Sequence, residues 1–212
     1  MKLQVIYENK DFLIVSKPAG IEYHGDSGLV ALIRQDNAQL IGVHRLDKDT
    51  TGAIIFAKNK EVASKLGLMF QNREISKTYI ALAGNKPSKK QGMISGDIVK
   101  TRGGSYSLKR SQDNPSITQF ISKSLFDGVR LYWLKPKTGR THQLRVVLKS
   151  IGVPILGDKR YGGDLSDRMY LHAFKLEFDW KSEKIIVVDW NLAGNLFENN
   201  LEKIKEIVGQ LR

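Results

Sequence analysis

Residues 42–52 have the sequence Gly42-Val43-His44-Arg45-Leu46-Asp47-Lys48-Asp49-Thr50-Thr51-Gly52. A β-rich run, Leu40–Val43, precedes the polar loop His44–Thr51, and a second β-rich run, Gly52–Ala57, follows it. Apolar segments on both sides of a short polar loop predict two strands joined by that loop. Because the loop concentrates acidic, basic and imidazole side chains, it is the first candidate for a site that carries chemistry.

Short apolar segments recur on both sides of this loop and are typical of strands. The predicted strands are Leu3–Tyr7, Phe12–Val15, Leu40–Val43, Gly52–Ala57, Thr78–Ala83, Ile117–Leu125, Val129–Leu134, Leu171–Phe178 and Ile185–Val188. Capping residues and helical spacing of apolar side chains predict helices at Ser27–Gln35, Asn59–Asn72, Thr141–Ile151 and Leu196–Leu211. Asp127-Gly128, between the predicted strands Ile117–Leu125 and Val129–Leu134, indicates a hairpin. Many strands with few helices, in no regular alternation, predict the α+β class.

Composition and charge exclude some classes of protein and favour others. The 212 residues include no Cys, which excludes a disulfide scaffold, a Cys nucleophile and Cys-ligated metal sites. The net charge of +12 favours a polyanionic partner, either nucleic acid or an acidic membrane surface. Nine basic and two acidic residues fall within Lys123–Arg160, whereas seven basic and nine acidic residues follow from Asp164 onward. Such concentration favours a binding face for nucleic acid over a uniformly solvated surface.

Several short motifs resemble known sites but lack the required context. Gly25-Asp26-Ser27-Gly28 is similar to the nucleophile segment of trypsin-like proteases, yet only His24 precedes the Ser. The segment from Asp47 imitates a calcium loop, but Lys58 stands where a bidentate Glu is needed. No Gly-x-Gly fingerprint and no P-loop occur, and the four His are far apart. We therefore expect no metal and no cofactor.

The sequence also shows no pattern typical of a signal peptide or of a membrane-spanning segment. Charged residues interrupt the first 18 positions, which argues against a signal peptide. The longest apolar runs, such as Ala53–Ala57, are far shorter than the ~20 residues that span a bilayer. We expect a cytoplasmic protein that makes no membrane contact.

Three segments remain as candidates for chemistry. The first is Gly42–Asp47, the second is Lys77-Thr78-Tyr79, and the third is Lys137–Arg145, a basic turn that leads into a helix. Taken singly, each key residue has an ordinary explanation. Asp47 is consistent with a loop carboxylate that binds backbone amides, Arg145 with a structural ion pair, and Tyr79 with a common strand aromatic.

Together these segments resemble the pseudouridine synthases, specifically the RluA-type group. The signature of that group is His-Arg-Leu-Asp followed by a Thr-Gly turn, which matches His44–Gly52. Further matches follow in the family's order: Lys17-Pro18-Ala19-Gly20, Lys77-Thr78-Tyr79, Thr138–Arg145, Gly157-Asp158 with Tyr161-Gly162, and Leu171-His172-Ala173. The resemblance runs from about Tyr7 to Phe178, and six ordered segments make it specific.

The resemblance implies roles for individual residues. Asp47 matches the catalytic carboxylate, Tyr79 the aromatic residue that packs on the target base, and Arg145 the basic residue that pairs with the carboxylate. Arg45 matches the Arg linked to the flipped-out state of the nucleotide, and Leu171 an apolar residue of the pocket. The motif neighbours His44, Arg140 and His142 complete the expected substrate-binding set.

The resemblance also implies a fold and an activity. The expected fold is α+β, with a long, mixed, mostly antiparallel sheet, a central RNA-binding cleft and flanking helices. The expected activity is isomerisation of a specific uridine in ribosomal or transfer RNA, in which Asp47 either attacks the sugar or removes a proton from it. The alternative is a catalytically silent RNA-binding or ribosome-assembly factor on the same fold. We expect a monomer.

Two departures from the family's pattern bear on the choice of RNA. Val147 stands where members often have His, and Ile21–Gly25 replaces a common Val-His-Pro. We further expect residues 1–212 to form a single catalytic domain without the N-terminal S4 RNA-binding domain that is common in the family. Recognition would then depend on the domain's own loops, including Lys86–Pro115.

Overall fold

The computed structural model describes residues 3–36, 38–84 and 87–211. These residues form two compact units. The first contains the chain up to Lys77 together with His172–Asn191, and the second contains Thr78–Leu171 together with the segment from Leu192 onward. Because the chain returns to the first unit after Leu171, residues far apart in sequence share one core.

Strands and short helices account for most of the described chain. The strands are β1 (Gln4–Glu8), β2 (Phe12–Lys17), β3 (Ile41–Gly42), β4 (Thr51–Ala57), β5 (Ser76–Gly84), β6 (Gln91–Lys100), β7 (Tyr106–Lys109), β8 (Ser116–Phe126), β9 (Val129–Pro136), β10 (Leu171–Trp180) and β11 (Glu183–Val188). The helices are α1 (Leu29–Asp36), α2 (Lys60–Gln71), α3 (Gln143–Ser150), α4 (Asn195–Glu198) and α5 (Leu201–Gly209).

The first unit is a sheet covered by α2. In this sheet β4 pairs antiparallel with β2 and β3, and parallel with the start of β10, while β1 adds to β2 and β11 adds to β10. All seven residues of β4 are buried, as expected of a strand with neighbours on both sides. Apolar side chains from the sheet and from α2 form one core cluster, which includes Phe12, Ile55, Leu66, Phe178 and Trp180.

The second unit is a fully antiparallel sheet in the order β5-β9-β8-β6-β7. Helix α3 packs against β6, β7 and β8, and α5 packs against β8. The buried face of α3 consists of Leu144, Val146, Val147 and Leu148, in keeping with the apolar spacing in the sequence. This packing holds the N-terminal end of α3, where the third candidate segment lies.

The structure confirms the α+β class and the mostly antiparallel pairing. It also confirms the hairpin predicted at Asp127-Gly128, where Gly128 has a positive φ of 72°, a conformation that glycine adopts without steric cost. Asn59 caps α2, since its Oδ1 accepts a hydrogen bond from the Val62 amide at 2.9 Å. The segment at 86–115 contributes β6 and β7, although Lys86 itself lies outside the described residues.

One predicted element is wrong. The single helix expected at Leu196–Leu211 is two helices, α4 and α5, separated by Asn199 and Asn200. The amide side chain of Asn200 donates to the Leu196 carbonyl at 2.9 Å, so a side chain satisfies a carbonyl at the end of α4. Asn competes for backbone hydrogen bonds in this way and favours helix ends over helix interiors. Within the described ranges, no helix is both long and apolar enough for a transmembrane span.

Candidate active site

Asp47 lies in the loop that connects β3 to β4 in the first unit. Leu46 is buried and anchors the loop in the core, whereas Arg45 before it is exposed and Asp47 after it is partly buried. The Thr50 amide donates to the Asp47 carbonyl at 3.1 Å and closes a tight turn. The local structure therefore holds Asp47 at the surface of the unit, directly beside a buried anchor.

Lys17, at the end of β2, holds the other side of this loop. The side chain is fully buried. Its ammonium group donates to the carbonyl oxygens of Lys48 at 2.7 Å, Thr50 at 3.0 Å and Pro18 at 2.9 Å. A buried cation is tolerated only where its donors are satisfied. The residues that directly follow Asp47 are therefore tied to β2 by charge-assisted hydrogen bonds.

His44 lies at the start of the loop and faces the first unit's interior. Its Nε2 accepts a hydrogen bond from the Ile55 amide at 3.0 Å, and its ring packs on Phe70 with centroids 4.5 Å apart. Burial, and to a lesser extent the charge of Lys77, lowers the pKa of His44 to about 3. The ring is thus neutral at pH 7 and contributes an acceptor to the backbone of β4.

A chain of buried polar groups supports the start of β4. Thr51 Oγ1 lies 2.8 Å from His172 Nδ1, and His172 Nε2 lies 3.0 Å from the Asp189 carbonyl oxygen. All three side chains are buried. Next to Thr51, Gly52 pairs with Ala173 of β10, and a Cβ on Gly52 would lie 2.4 Å from the Ala173 carbonyl oxygen. Only Gly allows this approach, which explains the Thr-Gly turn after Asp47.

Two predicted residues lie on strands. Tyr79 is partly exposed on β5, where it is paired with Leu134 of β9. Leu171 is the first residue of β10 and is buried. Both positions are on regular backbone, so their side-chain directions follow from strand geometry.

The basic turn before α3 carries Arg140 and His142. The Gln143 side chain pins this turn, because its Oε1 accepts from the Thr138 hydroxyl at 2.8 Å and from the Arg140 amide at 2.9 Å. The exposed Arg140 guanidinium donates to Asn114 Oδ1. His142 has a φ of 55°, and its Nδ1 lies 2.8 Å from the Tyr161 hydroxyl. The structure thus brings the imidazole of His142 onto Tyr161.

Arg145 forms a bidentate ion pair with Asp158. Its Nε donates to Asp158 Oδ2 at 2.7 Å and its Nη2 donates to Asp158 Oδ1 at 2.8 Å. The guanidinium also lies over the Tyr161 ring, 4.9 Å from the centroid. Arg145 is therefore part of a buried ion pair within the second unit. The further pairing with Asp47 and the contact of Tyr79 with a base stay predictions.

The structure adds residues to which the sequence analysis assigned no role. These residues are Lys17, Asp158, Tyr161 and His172, and all four lie in segments that match the family. One usable signal was the charge of Lys17 at the end of a strand that begins with four apolar residues, since a Lys is rarely buried without partners. Among residues 3–36, 38–84 and 87–211, no three His, Asp or Glu side chains are grouped as metal ligands would be.

Comparison with known proteins gives a consistent result. The model of the family described as RNA pseudouridylate synthase matches residues 11–150. An uncharacterized RNA pseudouridine synthase of Haemophilus influenzae is 47% identical, with 88% of this chain and 87% of that protein covered. The ribosomal large subunit pseudouridine synthase C of Rickettsia bellii is 34% identical, with 91% of this chain and 68% of that protein covered.

A solved structure supports the same assignment. The human RNA pseudouridylate synthase domain containing 1 has 32% sequence identity and a TM-score of 0.77, with 89% of this chain and 83% of that chain covered. With 89% of this chain covered, the similarity includes residues of both compact units.

Proposed function

This chain belongs to the RNA pseudouridylate synthase family, in its RluA-type group, and on that premise we propose that it converts a specific uridine of ribosomal or transfer RNA to pseudouridine with Asp47 as the catalytic carboxylate. As a member of the family, the protein is an isomerase that acts on uridine in RNA. We further propose that both compact units together form one catalytic domain.

The reaction breaks the bond between N1 of uracil and C1′ of ribose and forms a bond between C5 and C1′. The proton on C5 is released and N1 takes up a proton, so neither a redox step nor a phosphoryl transfer is required. A carboxylate serves either as a nucleophile toward C1′ or as a base toward the sugar. In both cases Asp47 must be ionised and held in place while the uracil is detached from the ribose.

The observation that carries the proposal is the anchoring of the Asp47 loop. Lys17 ties the backbone at Lys48 and Thr50 to β2, and Leu46 is buried on the other side of Asp47. A catalytic group contributes most when its position is set before the substrate binds. The fixed loop supports a role for Asp47 that an ordinary surface carboxylate does not require.

Arg145 is the proposed partner of the Asp47 carboxylate. A neighbouring guanidinium favours the anionic form and offsets the cost of desolvation when RNA covers the site. Lys would supply the charge but not a planar group with two parallel N–H donors. Tyr79 is the proposed platform for the target base, since stacking on an aromatic ring returns ~1–3 kcal/mol of the energy lost on unstacking.

The remaining predicted residues are proposed contacts to the RNA. Arg45 and Arg140 are exposed and suit phosphate or ribose oxygens, while Leu171 and His142 suit the wall of the pocket. His44 commits Nε2 to Ile55, so its contribution would come through its other ring atoms. The second unit also presents exposed basic side chains that suit the RNA backbone: Lys100, Arg102, Lys109, Arg110, Lys123, Lys137, Lys159 and Arg160.

Ribosomal RNA is the first substrate to test. The relative from Rickettsia bellii, at 34% identity, is a ribosomal large subunit pseudouridine synthase. The experiment supplies ribosomal and transfer RNA fractions that carry tritium at uridine C5 and measures the tritium released to water. We expect release with the wild-type protein and none above background with Asp47→Asn. Continued release by Asp47→Asn would refute the role of Asp47.

A matched control lies two residues away. Asp49 is exposed in the same loop, so Asp49→Asn changes the same charge without altering the proposed carboxylate, and we expect nearly wild-type release. The alternative function, a silent RNA-binding or assembly factor, predicts RNA binding without tritium release by the wild-type protein. Comparison of pseudouridine maps from cells with and without the gene would then identify the modified position.

A further inference from the structure

We propose that Asp158 is a positioning residue for catalysis, which sets the plane and the reach of the Arg145 guanidinium. This inference rests on the proposed function, because Arg145 matters for turnover only if it assists the Asp47 carboxylate. Arg145 lies on α3 and Asp158 lies between α3 and β10, so neither residue is part of a strand, yet Asp158 is among the most buried charged side chains described in the second unit.

The geometry of the pair is specific. Both carboxylate oxygens of Asp158 face Arg145, at 2.7 Å from Nε and 2.8 Å from Nη2. The Asp158 side chain is 1% exposed and that of Arg145 is 11% exposed. Two parallel hydrogen bonds along one edge of a guanidinium fix its plane as well as its position. A Lys, or a neutral partner, would leave that orientation undefined.

Asp158 is itself held rigidly. Its Oδ1 also accepts hydrogen bonds from the amides of Arg160 at 3.2 Å and Tyr161 at 3.3 Å, so the carboxylate caps its own turn. The turn begins at Gly157, which has a φ of 78°, and a Cβ there would lie 1.8 Å from the Arg168 carbonyl oxygen. The backbone therefore allows the carboxylate little freedom, and the fixed carboxylate in turn restricts the position of the Arg145 guanidinium.

Tyr161 supports the guanidinium from a second direction. Its ring lies under Arg145, and its hydroxyl meets His142 Nδ1 at 2.8 Å while it accepts from the Tyr106 amide at 3.1 Å. These contacts connect the ion pair with the turn before α3 and with β7. Asp158 and Tyr161 together hold the Arg145 guanidinium by hydrogen bonds and by ring contact, whereas an ordinary surface ion pair has no such additional contacts.

The test is a double-mutant cycle on turnover with the full-length chain. Asp158→Asn keeps the size of the side chain but presents an amide N–H group to the guanidinium, so the fork is lost. We expect kcat for tritium release to fall roughly 10- to 100-fold, as for a misplaced reacting group, with KM changed less than about threefold. In an Arg145→Met background, the same substitution should change kcat by less than about threefold.

A purely structural role for Asp158 predicts a different result. The loss of kcat would then be of similar size with and without Arg145, and that outcome overturns the proposal, as does unchanged kcat in Asp158→Asn. If Asp158→Asn fails to fold, Asp158→Ser serves in the same cycle, since a Ser hydroxyl accepts the amides of such turns but cannot form the fork. Asp167→Asn is the control, because Asp167 accepts from Tyr170, Asn195 and Ser166 in the same unit.

The outcomes separate this inference from the proposed function. If the wild-type protein releases tritium and Asp47→Asn does not, full activity in Asp158→Asn refutes the inference alone. If the wild-type protein releases no tritium from any RNA fraction, the proposed function fails and the inference fails with it.

Discussion

The ammonium group of Lys17 lies 2.7 Å from the backbone carbonyl oxygen of Lys48, across 31 residues of sequence. The contact fastens the loop that carries Asp47 to the end of β2. Because the side chain of Lys17 is fully buried, the contact is shielded from solvent and is stronger than a surface hydrogen bond. The placement of Asp47 therefore depends on a residue from a different segment of the chain.

Replacement of Lys17 should destabilise the protein. Lys17→Met removes a charged donor from three carbonyl groups, and we expect the free energy of unfolding to fall by about 2–4 kcal/mol. Urea denaturation followed by circular dichroism measures the change. The control is Lys48→Met, which removes an exposed side chain but keeps the carbonyl and should cost less than about 0.5 kcal/mol. Equal stability of the two variants would contradict the anchoring role.

The stability of the protein should depend on pH through His44. The pKa of His44 is lowered from 6.5 to about 3 in the folded state, so the unfolded chain binds the proton first as the pH falls. The stabilisation is complete above about pH 6.5 and decreases toward the folded pKa, by roughly 1.4 kcal/mol per pH unit between about pH 6 and 4.

The variant His44→Gln isolates this effect. Gln can still accept from the Ile55 amide but does not titrate, so its free energy of unfolding should decline less steeply than that of the wild type below pH 6. Urea titrations at pH 7, 5.5 and 4.5 give the comparison. His24→Gln removes an exposed imidazole and is the control. Identical slopes for His44→Gln and the wild type would show that His44 is not the group responsible.

Gly52 should not tolerate a side chain. It has a φ of 114°, and a Cβ would lie 2.4 Å and 2.5 Å from backbone atoms of Ala173 that cannot move aside. Strain and overlap together should cost Gly52→Ala at least about 3 kcal/mol. Gly67 in α2 has open space at the Cβ position, so Gly67→Ala should instead stabilise by about 0.5–1 kcal/mol. Thermal unfolding of both variants tests this pair, and a neutral Gly52→Ala would disprove the close approach of β4 and β10.

Tyr79 should act through its ring. Tyr79→Phe keeps the aromatic face and should retain most of the RNA affinity, whereas Tyr79→Ala should lose ~1–3 kcal/mol of binding free energy. Filter binding in an Asp47→Asn background measures affinity without turnover. A loss in Tyr79→Phe as large as in Tyr79→Ala would assign the contribution to the hydroxyl and not to stacking.

Much of the fold followed from local pattern. Short apolar segments identified nine of the eleven described strands, Asn59 marked the start of α2, and Asp127-Gly128 marked a hairpin. These signals act between near neighbours, so the sequence displays them directly. The helix expected at Leu196–Leu211 was wrong for the same reason: its apolar spacing is helical throughout, but Asn199 and Asn200 end the first helix with side-chain and backbone hydrogen bonds.

The sequence by itself determined the α+β class, the concentration of positive charge and the motif that contains Asp47, because propensity, composition and short-range spacing are properties of contiguous residues. Only the tertiary structure decided which buried groups support that motif, namely Lys17 beneath the loop and His172 against Thr51 across 121 residues. It likewise decided that Arg145 pairs with Asp158. Such contacts form when the chain returns to the same core, and their strength comes from burial, which no linear pattern encodes.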